Sequence, residues 1–240
     1  MMRDRQTIGV VIPALNEERA IGKVIADIPA WVDTIIVADN GSADQTRAVA
    51  EAHGAKVVFE GERGYGAACQ MGIAALGPMD IIVFLDGDYS DDPSQMADVV
   101  DPILAGRADF VIGSRVLGRR EKGALTPQQR FGNWMACRLI RYLFHVTYTD
   151  LGPFRAIRAE ALASLAMRDR AFGWTVEMQI KAARMGLAIA EVPVSYRPRI
   201  GTSKISGTVR GATHAGLTIL RVIFQSIVDQ RRALRNRTPI

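Results

Sequence analysis

The step Asp86-Gly87-Asp88 sets two carboxylates around one glycine, directly after the apolar run Ile81–Leu85. In an extended chain the two side chains would project from one face, so both could converge on a single hard cation. Mg²⁺ or Mn²⁺ held by one or two carboxylates, and completed by phosphate oxygens, is the usual arrangement around a nucleoside diphosphate. Gly87 would let that diphosphate approach the backbone. A second group of residues suits an anion. Arg63-Gly64-Tyr65-Gly66 opens a predicted helix, so its N–H groups and the Arg63 cation could meet phosphate. After the first strand stands Pro13-Ala14-Leu15-Asn16 rather than G-x-G-x-x-G, and there is no Walker loop. Those two absences disfavour a dinucleotide dehydrogenase and a P-loop nucleotidase.

The elements that must position these residues follow from hydrophobic runs. Strand-length apolar stretches at Ile8–Ile12, Thr34–Ala38, Lys56–Phe59, Asp80–Leu85 and Asp109–Ile112 alternate with amphipathic stretches. Helices are expected near Glu17–Ile28, Ala43–His53, Gly66–Leu76 and Pro93–Ala105. Repeated βα units with continuous rather than alternating apolar strands predict a doubly wound, mostly parallel α/β sheet with helices on both faces. Ligands bind beyond the carboxyl ends of such strands. The segments found there are Pro13–Glu18, Asp39–Asp44, Gly61–Gly66 and Asp86–Asp88. Any one of them alone is an ordinary turn, since Asn, Asp and Gly are turn residues. Four on one edge, with paired acids, make a site. Beyond a charged loop, Ser114–Gln128, helices are expected at Pro127–Phe144, Ala159–Ala166 and Trp174–Met185. Strands follow at Pro153–Ile157 and Ala188–Tyr196, and a last helix at Thr208–Arg235.

The chain has 240 residues, 48% hydrophobic and 23% charged, enough for one sizeable core and too apolar for disorder. Its two cysteines, Cys69 and Cys137, form no C-x-x-C pair, which points to a reducing compartment and to buried small residues. The polar start, Met1–Thr7, is unlike a signal peptide, and no uncharged apolar run has the length of a membrane span. The net charge of +5 conceals an asymmetry. Residues 197–240 hold nine Lys/Arg against one acid, a net of +8, and residues 1–196 therefore carry −3.

Val11-Ile12-Pro13-Ala14-Leu15-Asn16-Glu17-Glu18, Asp39-Asn40-Gly41-Ser42 and Asp86-Gly87-Asp88 stand in the order and spacing of glycosyltransferase family 2, and the chain resembles that family's GT-A fold. Asp150-Leu151-Gly152-Pro153-Phe154-Arg155 and Arg199-Ile200-Gly201-Thr202-Ser203-Lys204-Ile205 are similar to the branch that transfers mannose or glucose to dolichol or polyprenol phosphate. The resemblance implies that Pro13, Ala14 and Glu17 line a nucleoside pocket and that Asp39 accepts a hydrogen bond from the base. It implies that Asp86 and Asp88 hold metal and sugar nucleotide, and that Arg115 and Arg155 meet an acceptor phosphate. Arg199, Ser203 and Lys204 would close over the diphosphate. Pro153 departs from the small residue more usual before the aromatic, so the acceptor pocket is expected to differ.

The family inverts the anomeric centre in one displacement, with the leaving diphosphate neutralised by metal and cations. An acceptor hydroxyl would need a general base, for which Asp150 and Glu177 are the candidates, whereas a lipid phosphate is already an anion. Glu177, near a helix start, is equally explained by the helix dipole. The Q-x-x-R-W step of processive members is absent, which points away from polymer synthesis. The expected activity is hexose transfer from a GDP-mannose or UDP-glucose type donor to polyprenyl phosphate at the cytosolic membrane face. A soluble-acceptor transferase and an inactive nucleotide-binding scaffold are the rivals.

Two units are expected, a transferase domain over residues 1–207 and an amphipathic helix with basic tail over 208–240. Leu217–Val228 is apolar and is followed by Arg231, Arg232, Arg235 and Arg237, which suits peripheral contact with an anionic membrane. Packing on the domain, or on a second copy in a homo-oligomer, is the rival. Nucleic acid is disfavoured by the acidic edge and the lack of a recognisable motif.

Overall fold

Runs such as Ile8–Ile12 and Ile81–Leu85 have no polar face to offer water, so they belong in strands covered on both sides. The computed structural model, which describes residues 6–201 and 221–224, places them at the centre of a seven-stranded sheet. Strand β1 (Ile8–Ala14) pairs in parallel with β2 (Thr34–Asp39) and β4 (Ile81–Phe84), and β2 pairs with β3 (Lys56–Phe59). At the other end β5 (Phe110–Ser114) runs parallel to β7 (Ile189–Pro193). Between β4 and β5 lies β6 (Arg155–Arg158), antiparallel to both. The reversal follows from where the chain re-enters the sheet. Residues 150–154 are tied to the end of β5, with Arg115 N donating to Asp150 and Gly113 N to Phe154 O. A strand that starts at the carboxyl edge has to run back.

Successive strand residues face opposite layers. Val10, Ile12 and Val83 pack under α1 (Ile21–Ala26), α2 (Thr46–Ala52) and α4 (Met96–Leu104). Val11, Phe84 and Ile112 pack under α3 (Tyr65–Leu76), α5 (Pro127–Phe144), α6 (Ala159–Leu165) and α7 (Trp174–Arg184). Phe84 and Trp174 meet edge to face with ring centroids 6.3 Å apart, joining β4 to the start of α7. Cys69 and Cys137 are free and buried. Helix α5 begins at a capping box, Thr126 with Gln129, and has Pro127 at its first position, where a missing N–H is harmless.

Most of the expected final helix lies outside the described residues. Within it, Arg221–Phe224 is helical, Val222 is 6% exposed and Ile223 fully buried, both in the core layer of α3, α5, α6 and α7. These two apolar side chains face protein. None of the described helices is long and apolar enough to cross a membrane. Replacing Ile223 with alanine should therefore cost about 2–5 kcal/mol of stability in urea titrations, the usual loss for a buried Ile. A side chain that served lipid alone would show almost no change.

Candidate active site

The carboxyl ends of β1, β2 and β4 bring the expected segments together. Pro13 and buried Ala14 end β1, and Asp39, 4% exposed, ends β2. The Asp39 carboxylate accepts from Ser42 N at 3.0 Å, closing the turn that follows it. Glu17 is buried, its N–H donating to Thr46 Oγ1 at 2.7 Å. A cleft of about 350 Å³ beside these loops is lined by Asp39, Ser42, Arg47 and Phe59 among others, on the α2 side. Arg63 bonds Gly41 O at 3.1 Å and so reaches the rim of the same edge.

Asp86 to Asp88 form a turn rather than extended chain, so the acids meet through the bend and not through strand alternation. Asp88 accepts from Ser90 N at 2.9 Å and Ser90 Oγ at 2.5 Å. Asp86 accepts from the Tyr65 hydroxyl. A third carboxylate, Asp91, is 1% exposed and accepts from Asp86 N at 3.4 Å. Burial, then the Asp88 and Asp91 charges, hold the Asp86 carboxyl well above the ordinary carboxylate range. Burial and Asp88 push Asp91 up to about 7. Asp86 Oδ1 and Asp91 Oδ1 are buried without a hydrogen-bond partner. Such oxygens, crowded with like charge, are what a divalent cation relieves, and the donor set is all hard oxygen. Among the described residues no three ligating side chains enclose one point, and diphosphate oxygens are of the type that completes such a set. Asp91 was missed in the sequence because Asp91-Asp92-Pro93 reads as the cap of the following turn, the role that Asp92 fills by accepting from Ser94 N.

Arg199 crosses this cluster. Its guanidinium bonds Glu17 Oε1 at 2.7 Å and Asp88 Oδ2 at 3.1 Å, and Ile200 N donates to Asp88 O at 2.9 Å. Its Nε is buried and unpartnered. The neighbouring Arg197 stacks on Tyr89 with its guanidinium 3.8 Å from the ring centre. Tyr196 bridges Asp91 on one side and Arg120 on the other. The charged loop after β5 is tied to this segment, with Tyr196 N donating to Arg119 O and Glu121 N to Tyr196 O. Ser203 and Lys204 lie outside the described residues.

Several expected roles change. Asp150 is fully buried and takes Arg115 in a bidentate pair, Nε at 2.8 Å and Nη2 at 2.7 Å, besides the N–H groups of Arg115 and Leu151. Burial would raise its carboxyl, but Arg115 outweighs that and holds it below the usual value. An ionised, fully occupied carboxylate orients its partner and is a poor proton acceptor. Glu177 accepts from the N–H groups of Arg168 and Asp169 and pairs with Lys181 at 2.7 Å, so it fastens the turn before α7. Arg155 does not reach an acceptor. It is 1% exposed inside the core, bonded to Gly152 O and Thr175 O, and burial brings its guanidinium down to about 10.

The glycines also differ from expectation. The first N–H groups of α3 are taken by protein, Gly66 N by Ala171 O and Ala67 N by Arg170 O, so they are not an anion site. A Cβ on Gly64 would lie 2.0 Å from Arg170 O, and one on Gly66 2.1 Å from Asp169 O. These glycines admit the 169–171 backbone, not a phosphate. A Cβ on Gly87 would meet Ala14, Ile12 and Ile21 at 3.5 Å, an ordinary contact toward the core, so that glycine is not required for ligand approach.

A second and larger hollow, about 590 Å³, opens between the 116–125 loop and α5. Phe131, Trp134, Arg120 and Arg130 line it, and its inner end reaches Thr149 and Asn133. Asn133 accepts from Leu151 N at 2.9 Å, so the hollow ends beside the Arg115–Asp150 pair.

Residues 9–165 match the model of glycosyl transferase family 2. An uncharacterized glycosyltransferase of Mycobacterium tuberculosis is 38% identical over 218 residues, 90% of this chain and 97% of the relative. A dolichyl-phosphate hexose transferase of Haloferax volcanii is 34% identical over 224 residues, 91% of this chain and 94% of the relative. Among solved structures, glucosyl-3-phosphoglycerate synthase from M. tuberculosis, in complex with Mn²⁺, UDP and glucosyl-3-phosphoglycerate, superposes with a TM-score of 0.76. It is 27% identical, over 94% of this chain and 81% of that one.

Two outcomes test the geometry. Asp150→Asn leaves a buried arginine unpaired and should cost about 3–5 kcal/mol at neutral pH. Because the folded carboxyl titrates below its unfolded value near 3.9, the pair's stabilisation is complete above that pH and is lost as pH falls through the folded value. Urea midpoints measured from pH 7 down to pH 3 should keep the wild type ahead of the variant, with the gap starting to narrow only below about pH 4. An unchanged midpoint with abolished turnover would instead make Asp150 a base. Asp91→Asn removes buried repulsion, so the variant's melting temperature in EDTA should exceed the wild type's, while the rise produced by Mn²⁺ should shrink.

Proposed function

The chain belongs to glycosyl transferase family 2, and from that premise we propose that it moves a hexose from a nucleoside diphosphate to a polyprenyl phosphate, with inversion at the anomeric carbon. One observation carries the choice of acceptor. Both carboxylates that the sequence offered as general bases are held by structural partners, Asp150 by Arg115 and Glu177 by the 168–169 turn. A hydroxyl nucleophile would lack a base at either position, whereas a phosphate oxygen needs none. The dolichyl-phosphate hexose transferase relative supports the same reading.

The reading assigns roles to this chain's own residues. Asp86 and Asp88, with Asp91 beside them, would hold Mn²⁺ or Mg²⁺, which when bound supplies positive charge to the leaving diphosphate. Arg199 already lies on Asp88 and Glu17, and it adds a cation to the same place. Arg115 meets the acceptor phosphate. Its Nε and Nη2 are committed to Asp150, which leaves the second Nη outside the pair and fixes its direction. The acceptor oxygen forms its bond to the anomeric carbon as the bond to the diphosphate breaks, and the electron pair leaves with the nucleotide. No proton has to move. Asp39, Pro13, Ala14 and Glu17 would receive the nucleoside, and the hollow beside α5 the first part of the lipid.

The second reading, transfer to a small phosphorylated hydroxyl acid, is favoured by the solved synthase bound to glucosyl-3-phosphoglycerate. Radiolabelled GDP-mannose and UDP-glucose, each offered with polyprenyl phosphate or 3-phosphoglycerate and Mn²⁺, separate the two. Label should enter the lipid phase, and Asp88→Ala should lower that rate at least about 100-fold. Label recovered only in water-soluble product would overturn the lipid reading.

A further inference from the structure

Helix α5 carries an outward face that extends past the hollow proposed for the lipid. Phe131 is 61% exposed, Trp134 57% and Tyr142 80%, which is unusual for three aromatic side chains on one helix. At 3.6 residues per turn they fall with Arg130, Arg138 and Arg141 in one stripe about 120° wide. Trp134 is packed at both ends, with Phe131 at 5.9 Å between ring centroids and the Arg138 guanidinium 5.8 Å above its ring. From residue 122 to 149 the sequence holds Lys122 and these three arginines and no acid.

We infer that this stripe is the surface by which the protein lies on an anionic lipid bilayer. Aromatic rings with both an apolar body and a polar edge settle at the level of lipid headgroups, and arginines beside them pair with lipid phosphates while their stems stay apolar. Charge selects the occupant. A second copy docking face to face would bring these arginines against themselves. Residues 225–240 of the chain carry Arg231, Arg232, Arg235 and Arg237 against one acid, so they too are of the wrong sign to cover it. The stripe also borders the hollow that leads inward to Arg115 and Asp150. The inference deepens the lipid-acceptor reading and rests on it for the purpose of the contact. A bilayer against α5 puts the mouth of the hollow at the headgroups, where a polyprenyl phosphate presents its phosphate.

Vesicle flotation tests it with the full-length chain. The wild type should bind vesicles in which about a third of the phosphatidylcholine is replaced by phosphatidylglycerol, and should not bind pure phosphatidylcholine. Each basic residue near an anionic leaflet contributes about fivefold, so Arg130→Gln/Arg138→Gln/Arg141→Gln together should weaken binding roughly 100-fold. The thermal midpoint should not move, since all three positions are exposed. Brominated lipid should quench tryptophan fluorescence, and Trp134→Phe should remove that quenching, because Trp174 is 1% exposed and Trp31 packs on the opposite face of the sheet from α5. Wild-type binding by the triple variant would overturn the assignment. So would loss of binding from Gln at the four tail arginines alone, or a dimer that dissociates when Trp134 is changed to Ala. Vesicles ignored in favour of single-stranded RNA would overturn it equally. The transfer assay in detergent is read separately: vesicle binding without lipid product sinks the acceptor reading and leaves the docking face standing.

Discussion

Three carboxylates buried together at the end of β4 cannot all hold their charge without a cation, and much of the site is arranged around that constraint. The Asp88 charge raises both Asp86 and Asp91, and the chain's own answer is Arg199, drawn across from beyond β7 to Asp88 and Glu17. The strand bridges at Tyr196 and the stacking of Arg197 on Tyr89 hold that segment against the acids. One electrostatic demand therefore organises residues that follow the first, fourth and last described strands, and it is there that the proposed function puts the diphosphate and its metal.

The second half of the chain supports this edge with groups that look chemical in isolation and prove architectural. Glu177 gathers the N–H groups of the 168–169 turn, and the residues just after that turn deliver backbone carbonyls to the start of α3. Arg170 then pairs with Glu60 and Glu62 beyond β3. The two glycines at 64 and 66 exist for this close approach. Arg155 is similar, a buried cation bonded to carbonyls and lying 5.7 Å from the Phe110 ring centre, binding β6 to α7. Such buried charges are costly to bare, which explains why each is fully occupied by protein.

On the acceptor side, the same logic separates function from support. Asp150 keeps Arg115 directed while Arg115 keeps Asp150 ionised, and neither role leaves a proton to exchange. Beside that pair the surface turns from polar to aromatic and cationic along α5. A fixed cation at the inner end and an amphipathic helix at the outer end are the features on which the proposed long acceptor with a charged head rests.

The strands, their mostly parallel arrangement, the helix at Pro127–Phe144 and the gathering of Asp39, Asp86 and Asp88 at one edge were legible in the sequence, because hydrophobic period and strand-end position are local properties. The reversed β6 was not, since direction depends on where a returning chain enters the sheet. Nor were the distant partners, Arg115 for Asp150, the 168–169 turn for Glu177, Thr175 for Arg155 and residues 170–171 for the α3 amides, which lie between 8 and 105 residues away along the chain. A charged residue type carries the same reactivity wherever it stands in a sequence. Whether it is a base, a cation for substrate or a fastening depends on which groups reach it first, and only the tertiary structure decides that.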